Sequence, residues 1–353
     1  MREAQATAPG RVNLIGEHTD YHDGYVMPSA VPQHTTAIVT PRHDTNVVVS
    51  SNCMPDVVEY ELGRERRRGH WSDYVQGVTW VLAKSGFPPH GCDVQLESNV
   101  PLGSGLSSSA ALLVSLLKAL RLALDATIDD VRIARMAQRA EVEFVGAPVG
   151  IMDQMACSLA TERVGLFLDT RSLSFERIEF PAALELAVID SGIAHQHASG
   201  DYVTRRQESE DAARWLGVEK LRDAPADALD RIGEMPDLLA RRARHVITEN
   251  ARVLQARDAL RRGDLGTLGE LFSASHVSLR DDYEVSIPEV DVLVAEAQAQ
   301  PGVHGARMTG GGFGGAIVVA TETGRAREAA QAACLAYTAR TGRDARVLVP
   351  AQD

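Results

Sequence analysis

The run "SSAALLVSLLKALRLAL", residues 108–124, is apolar almost all the way round a helix, and such a helix has to be enclosed by other elements on several sides. At its mouth, "PLGSGLSS" places two glycines and three serines where they lower helix propensity. Backbone N–H groups at a helix N-terminus attract anions, and glycines let a phosphate come close because no Cβ stands in the way. Gly103 and Gly105 would shape such a loop, Ser107 and Ser108 would supply hydroxyls, and a helix beginning around Ser109 would aim its positive end at a polyphosphate. Ser109 would also suit the magnesium that accompanies a nucleotide. A plain serine-rich helix cap reads the same residues equally well. The standard phosphate loop is absent because the chain has no Gly-Lys pair, and "GLSSS" departs from a nucleophile elbow by holding Ser109 where that turn needs glycine.

At 353 residues the chain is longer than one core usually supports, so two domains are expected. A net charge of −12 opposes nucleic acid and anionic lipid as partners, and the basic clusters "RERRR" and "RRARH" are flanked by acids. The four cysteines, Cys53, Cys92, Cys157 and Cys334, form no C-x-x-C pair and read as reduced thiols. No signal-peptide pattern opens the sequence and no apolar run reaches about 18 residues, so a cytoplasmic protein without a membrane segment is expected.

Short β-branched stretches, "TTAIVT", "TNVVVSS", "VVEYEL" and "CDVQLES", make the first hundred residues strand-rich. Helices follow, one of them opened by Thr127 and Asp130 in capping-box spacing and closed at Gly146. Strand character returns at "VGLFLDT" and "LELAVIDS", helical patterns fill about 201–300, and "AIVVA", a helix over 325–341 and "ARVLVP" complete the chain. The pattern predicts two α+β domains, 1–180 and 181–353, with mixed or antiparallel sheets and packed helices.

"GGGFGG", residues 310–315, formally matches G-x-G-x-x-G but opens a strand, whereas a dinucleotide fingerprint opens a helix. A protein-kinase glycine loop would need V-A-I-K, H-R-D and D-F-G partners, which the chain lacks. Near the start, "PGRVNLIGEHTDYHDGYVMP" gathers Arg11, Glu17, His18, Asp20, His22 and Asp23. His18 and His22 have zinc-helix spacing, but the Asp23-Gly24 turn argues for a loop. Carboxylates and imidazole can pair sugar hydroxyls, which both donate and accept, while a guanidinium suits phosphate.

Three of these segments together resemble the galactokinases of the GHMP small-molecule kinase family. "PGRVNLIGEHTDYHDGYVMP" is similar to the galactokinase signature, "PLGSGLSSSAAL" to the ATP-binding motif and "MTGGGFGGAIV" to the third motif. "EVEFVGAPVGIMDQMA" and "LRDDYEVSIPEVDVLV" resemble the intervening segments. The resemblance implies two α+β domains with ATP and sugar bound in the cleft between them, and phosphorylation of the anomeric hydroxyl of galactose. It implies that Gly103, Ser104, Gly105, Leu106, Ser107, Ser108 and Ser109 hold the triphosphate, and that Ser109 and Glu141 ligate Mg2+. Glu17, His18, Thr19, Asp20, Gly150, Asp153 and Tyr202 would contact the sugar, with Asp153 the catalytic base and Arg11 the stabiliser of the transferring phosphoryl group. Trp71 and Tyr74 match a segment near the adenine pocket more loosely. Asp190 stands where many relatives carry asparagine, and the register of Tyr202 rests mainly on the following "RR". A monomer is expected. Kinases for N-acetylgalactosamine or arabinose, and a galactokinase-like regulator without turnover, are the other readings. Outside the family, Asp153 would be an ordinary helix N-terminal carboxylate and Glu141 an exposed helix charge.

Overall fold

The computed structural model describes residues 2–193 and 198–350. From the N-terminus, β1 (Ala4–Asn13), β2 (Tyr25–Val26), β3 (Pro28–Pro41), β4 (Asn46–Ser51) and β5 (Met54–Glu61) precede α1 (Ser72–Lys84). β6 (Cys92–Ser98), α2 (Ser108–Leu124), α3 (Asp130–Arg139), a π-helical turn (Ala140–Val145) and α4 (Met152–Leu159) follow. Next come β7 (Val164–Asp169), β8 (Phe175–Glu179), β9 (Leu184–Asp190), α5 (Ala198–Trp215), the single turn α6 (Ala228–Arg231), α7 (Asp237–Arg262), α8 (Leu265–Asp281) and α9 (Pro288–Gln298). The chain closes with β10 (Val303–Thr309), β11 (Ala316–Glu322), α10 (Ala326–Thr341) and β12 (Arg346–Val349).

Two compact units form, and neither is one continuous stretch. The first holds Met1–Arg11, Ala30–Leu102 and Ser107–Thr161; the second holds Val12–Ser29, Gly103–Leu106 and Glu162–Asp353. A single cut at residue 180 differs from this division, because β2 pairs with β7 and so draws the segment around it into the second unit.

In the first unit a five-stranded sheet runs β1-β3-β6-β4-β5; β3 pairs antiparallel with β6 and β4 with β5, while β4 lies parallel to β6. β6 shows why these residues make a strand: Cys92, Val94 and Leu96 are buried while Asp93, Gln95 and Glu97 alternate with them as exposed positions. Burying Val94 and Leu96 contributes about 1.5–3 kcal/mol each. α2 packs against α1, α3 and α4, and its Ala110, Leu113, Val114, Leu116, Leu117 and Leu120 are fully buried, as its apolar circumference requires. The cap of α3 differs from the expected Thr127–Asp130 box. Asp129 is the cap, accepting the Arg132 N–H at 2.7 Å, because its backbone is extended and its short carboxylate reaches the free amide.

In the second unit α8, α9 and α10 pack on a four-stranded sheet of order β10-β11-β9-β12, all antiparallel. Ile189, Met308, Ile317 and Val319 of the strands share one core with Val246, Leu279, Leu293 and Tyr337 of the helices. A small antiparallel sheet, β2-β7-β8, packs on α7. Among the described residues no helix is long and apolar enough to cross a membrane.

Candidate active site

Arg11, near the end of β1, is 4% exposed, and its guanidinium holds both oxygens of Asp153, Nε to Oδ1 at 2.9 Å and Nη2 to Oδ2 at 2.9 Å. Asp153 lies in the first turn of α4, as a dipole-stabilised carboxylate would, yet its partners come from elsewhere in the fold. The Ser107 hydroxyl donates to Oδ2 at 2.5 Å. Ser107 adopts a left-handed conformation, φ 60°, which is uncommon for a residue with a Cβ. That turn aims the hydroxyl at Asp153, so the donor expected to face a phosphate is engaged with the carboxylate. Asp153 keeps a side-chain exposure of 30%, enough for a substrate to reach it. Gly150 lies in the loop just before α4.

Ser107 is also the residue that starts α2, and no side chain caps that helix end. The first-turn N–H groups therefore keep their capacity for an anion. Ser108 and Ser109 open the helix and are half-buried. Ser104 and Leu106 are 2% and 1% exposed, so Leu106 offers a nucleotide its main chain and no more. Gly105 packs beside the other glycine loop: a Cβ built on it would lie 3.6 Å from the Thr309 carbonyl, and one on Gly310 would lie 3.4 Å from the Gly105 carbonyl. The two glycine-rich segments, distant in sequence, meet in the second unit.

Glu141 falls in the π-helical turn and is 3% exposed, which overturns its reading as a surface charge. Ser109 and the Gln154 amide both donate to it, the latter at 2.7 Å. Burial pushes its carboxyl up to about 7, more than these hydrogen bonds pull it down, and the charge of Asp153 adds to the rise. The half-buried Tyr74 of α1 is pushed to about 12, by burial first and then by the nearby charges of Glu141 and Asp73. A hydroxyl and a carboxylate side by side are the hard oxygen donors that Mg2+ takes. The pair Ser109–Glu141 fits that ion.

The sugar-signature residues gather in the second unit. His18, with φ 62°, is 5% exposed; its Nδ1 lies 2.9 Å from the Tyr21 hydroxyl, and its ring stands 4.8 Å from Tyr283 and 5.5 Å from Tyr202. Burial, then the neighbouring His245, lowers its pKa to about 3, so the ring is neutral at pH 7 and can pair a sugar hydroxyl without a charge to neutralise. His22 faces Ser209 instead, at 2.7 Å, so the two histidines have different hydrogen-bond partners. Asp20 begins a short 3-10 turn and accepts the Tyr21 N–H at 3.0 Å. Tyr202, on α5, is half-buried beside His18 and Tyr21, and a Cβ on Gly311 would lie 3.6 Å from its ring. The divergent stretch preceding it includes residues 194–197, which lie outside the described residues.

Two signature residues are enclosed more tightly than their motif reveals. Thr19 is 0% exposed and its hydroxyl lies 2.9 Å from the Gly16 carbonyl and 2.7 Å from that of Tyr25. A hydroxyl has one proton to donate, and Thr19 spends it closing this loop. Glu17 is buried, and its carboxylate is occupied by Arg307, the Gly310 N–H at 3.1 Å and the Thr309 hydroxyl at 3.3 Å. Burial raises its pKa against the lowering pull of Arg307. Arg307 stands two residues before "TGGGFGG", yet no local pattern marks it, since no spacing announces a partner 290 residues away. Asp190, the departure from the usual asparagine, pairs with Arg346 of β12 at 2.9 Å and accepts the Gly192 N–H at 3.1 Å, which ties two strand ends together.

The glycine loop is itself tightly held. Gly312 has φ 84° and a Cβ there would run into the Val285 carbonyl, which also accepts the Phe313 N–H at 2.6 Å. Gly312→Ala is therefore expected to destabilise the fold by roughly 2–4 kcal/mol, read by urea unfolding, from a left-handed Cβ and a clash with backbone. A loss under about 0.5 kcal/mol would mean the loop yields freely.

Family models match in the same order as the motifs. Residues 2–41 match the galactokinase galactose-binding signature, 73–161 the GHMP kinases N terminal domain, and 256–339 the GHMP kinases C terminal. The fold is also that of a mevalonate kinase from Methanococcus jannaschii, TM-score 0.68 at 16% identity, covering 98% of this chain and 96% of that one. These matches define the fold and motif set of GHMP small-molecule kinases. A galactokinase from Chloroflexus aurantiacus is 43% identical over 98% of this chain and 90% of its own length. One from Streptomyces coelicolor is 45% identical over 89% and 84%. The crystal structure of Lactococcus lactis galactokinase complexed with galactose superposes with a TM-score of 0.94 at 30% identity, over 98% of this chain and 92% of that one. The chain belongs to the galactokinase family.

Proposed function

We infer that this protein transfers the γ-phosphoryl group of ATP to the anomeric hydroxyl of galactose, giving α-galactose 1-phosphate and ADP. The observation that carries the reaction is Asp153, held by Arg11 and Ser107 yet still exposed, beside the uncapped start of α2. Phosphoryl transfer leaves a protein mainly positioning and charge stabilisation to supply. Asp153 takes the proton of the anomeric hydroxyl, the most acidic on the sugar, as that oxygen attacks phosphorus. Arg11 and Ser107, on both carboxylate oxygens, fix its plane for that transfer, and the Arg11 charge stabilises the transferring group. The α2 N–H groups and the loop from Gly103 to Ser109 receive the phosphates. Glu17, His18, Asp20 and Tyr202 recognise the sugar.

Mg2+, held by Ser109 and Glu141, would neutralise charge on the phosphates. Protons compete with a cation for Glu141, so the apparent affinity for Mg2+ is expected to weaken as pH falls below about 7, and Glu141→Gln to remove that dependence. Without metal the raised pKa has a stability consequence. The folded state favours protonated Glu141, so stability is full below the ordinary value of 4.5 and declines as pH rises through about 7. Glu141→Gln is expected to match the wild type near pH 4.5 and to exceed it at pH 8 by up to roughly 3 kcal/mol in chelator. Equal melting curves at pH 8 would show that Glu141 carries no burial penalty.

An ADP-release assay with galactose, N-acetylgalactosamine and arabinose tests the function. Turnover is expected with galactose; sugar binding without turnover would mark a regulator, and turnover confined to another sugar would reassign the substrate.

A further inference from the structure

Behind the signature residues of the second unit lies a cluster of buried charge. Arg307, on β10, is 0% exposed and grips several groups at once: Nη1 donates to the carbonyls of Leu14 at 2.8 Å and Asn13 at 3.4 Å, and Nη2 pairs with Glu17. Glu249, on α7 and also 0% exposed, lies 4.0 Å from Arg307. It accepts the Gly16 N–H at 2.9 Å, the Ser275 hydroxyl at 2.7 Å and Arg252 Nε at 2.6 Å. His245, one helical turn earlier, donates from Nε2 to the Glu17 carbonyl at 3.1 Å. Side chains from α7 and β10 thus hold the segment from Asn13 to Glu17 by backbone and side chain together.

Apolar packing would have held this segment at lower desolvation cost, since two buried carboxylates each need a cation. Charge-assisted hydrogen bonds add direction, and a guanidinium fork fixes several acceptors in one geometry. We propose that Arg307 and Glu249 are positioning residues for sugar binding, a charge-balanced pair that sets the Glu17 carboxylate and the loop carrying His18 and Asp20. The proposal rests on the reading that Glu17, His18 and Asp20 meet galactose. Burial pushes the Glu249 carboxyl up, but Arg252, His245 and Arg307 together outweigh it and hold it at about 2, so Glu249 keeps its charge throughout the neutral range.

The test is Arg307→Lys and Glu249→Gln in the full chain, with galactose Kd measured by calorimetry without nucleotide, KM for galactose and for ATP, and Tm. Lysine keeps the charge but cannot hold Leu14, Asn13 and Glu17 at once; glutamine keeps an acceptor for Gly16 but loses the charge. Each is expected to raise galactose Kd and KM by about tenfold or more, with ATP KM within about threefold. Should both variants fail to fold, Ser275→Ala, which removes one bond to Glu249, is expected to raise galactose Kd about threefold. A lowered Tm with galactose Kd unchanged in any folded variant overturns the proposal, as does an equal rise in the KM for ATP. Wild-type protein that neither binds nor phosphorylates galactose would remove the functional reading instead.

Discussion

Asp153→Asn is expected to lower kcat by about 10²–10⁴-fold while galactose and ATP affinities change a few-fold at most. Asparagine has almost the same shape, so the sugar's binding surface is kept, but it cannot take a proton at neutral pH. One oxygen still accepts from Arg11 Nε and stays within 2.8 Å of Nη2, and the amide nitrogen can face Ser107, whereas the second oxygen's contact with Nη2 is lost. The remaining rate would come from positioning and from the Arg11 charge. Single-turnover kinetics with direct galactose binding separates these contributions. A variant within about tenfold of the wild-type rate would mean that another group, or water, removes the proton.

On the role proposed for Arg11, Arg11→Met should lower kcat by about 10²–10³-fold, because the charge assigned to the transferring phosphoryl group disappears while the apolar stem is replaced by one of similar length. Galactose Kd is expected to stay within a few-fold. Removing a guanidinium that is 5% exposed leaves Asp153 with Ser107 and, at 30% exposure, with water. Full loss of a buried pair costs about 3–5 kcal/mol, and solvent at Asp153 reduces that to about 1–2. Added guanidinium ion should restore part of the rate, which a purely structural role for Arg11 would not allow. The double variant with Asp153→Asn is expected to be little slower than the worse single one, since the two side chains act as a unit. Full additivity of the losses would separate their roles.

Much of this was legible along the chain. The alternation in "CDVQLES", the apolar circumference of 108–124 and the strand after "GGGFGG" all follow from local spacing, and each forms as read. The motifs also named Arg11, Asp153, Ser109 and Glu141, which the first unit brings into two hydrogen-bonded groups. Capping was less legible: Thr127 and Asp130 had the expected spacing, but Asp129 had the extended backbone and took the Arg132 amide. The pairing of β2 with β7, which draws Val12–Ser29 into the second unit, had no local signature at all.

Residue type and spacing decide what a short segment can become, since periodicity, turn chemistry and helix ends act within a few residues. They settled which stretches are strands, helices and glycine-rich loops, and which side chains have chemistry to offer. The burial of Glu17, its hold by Arg307 and Gly310, the closed hydroxyl of Thr19 and the raised carboxyl of Glu141 arose only in three dimensions. Burial and charge pairing depend on neighbours hundreds of residues away, and no local pattern encodes the dielectric in which a carboxylate will sit.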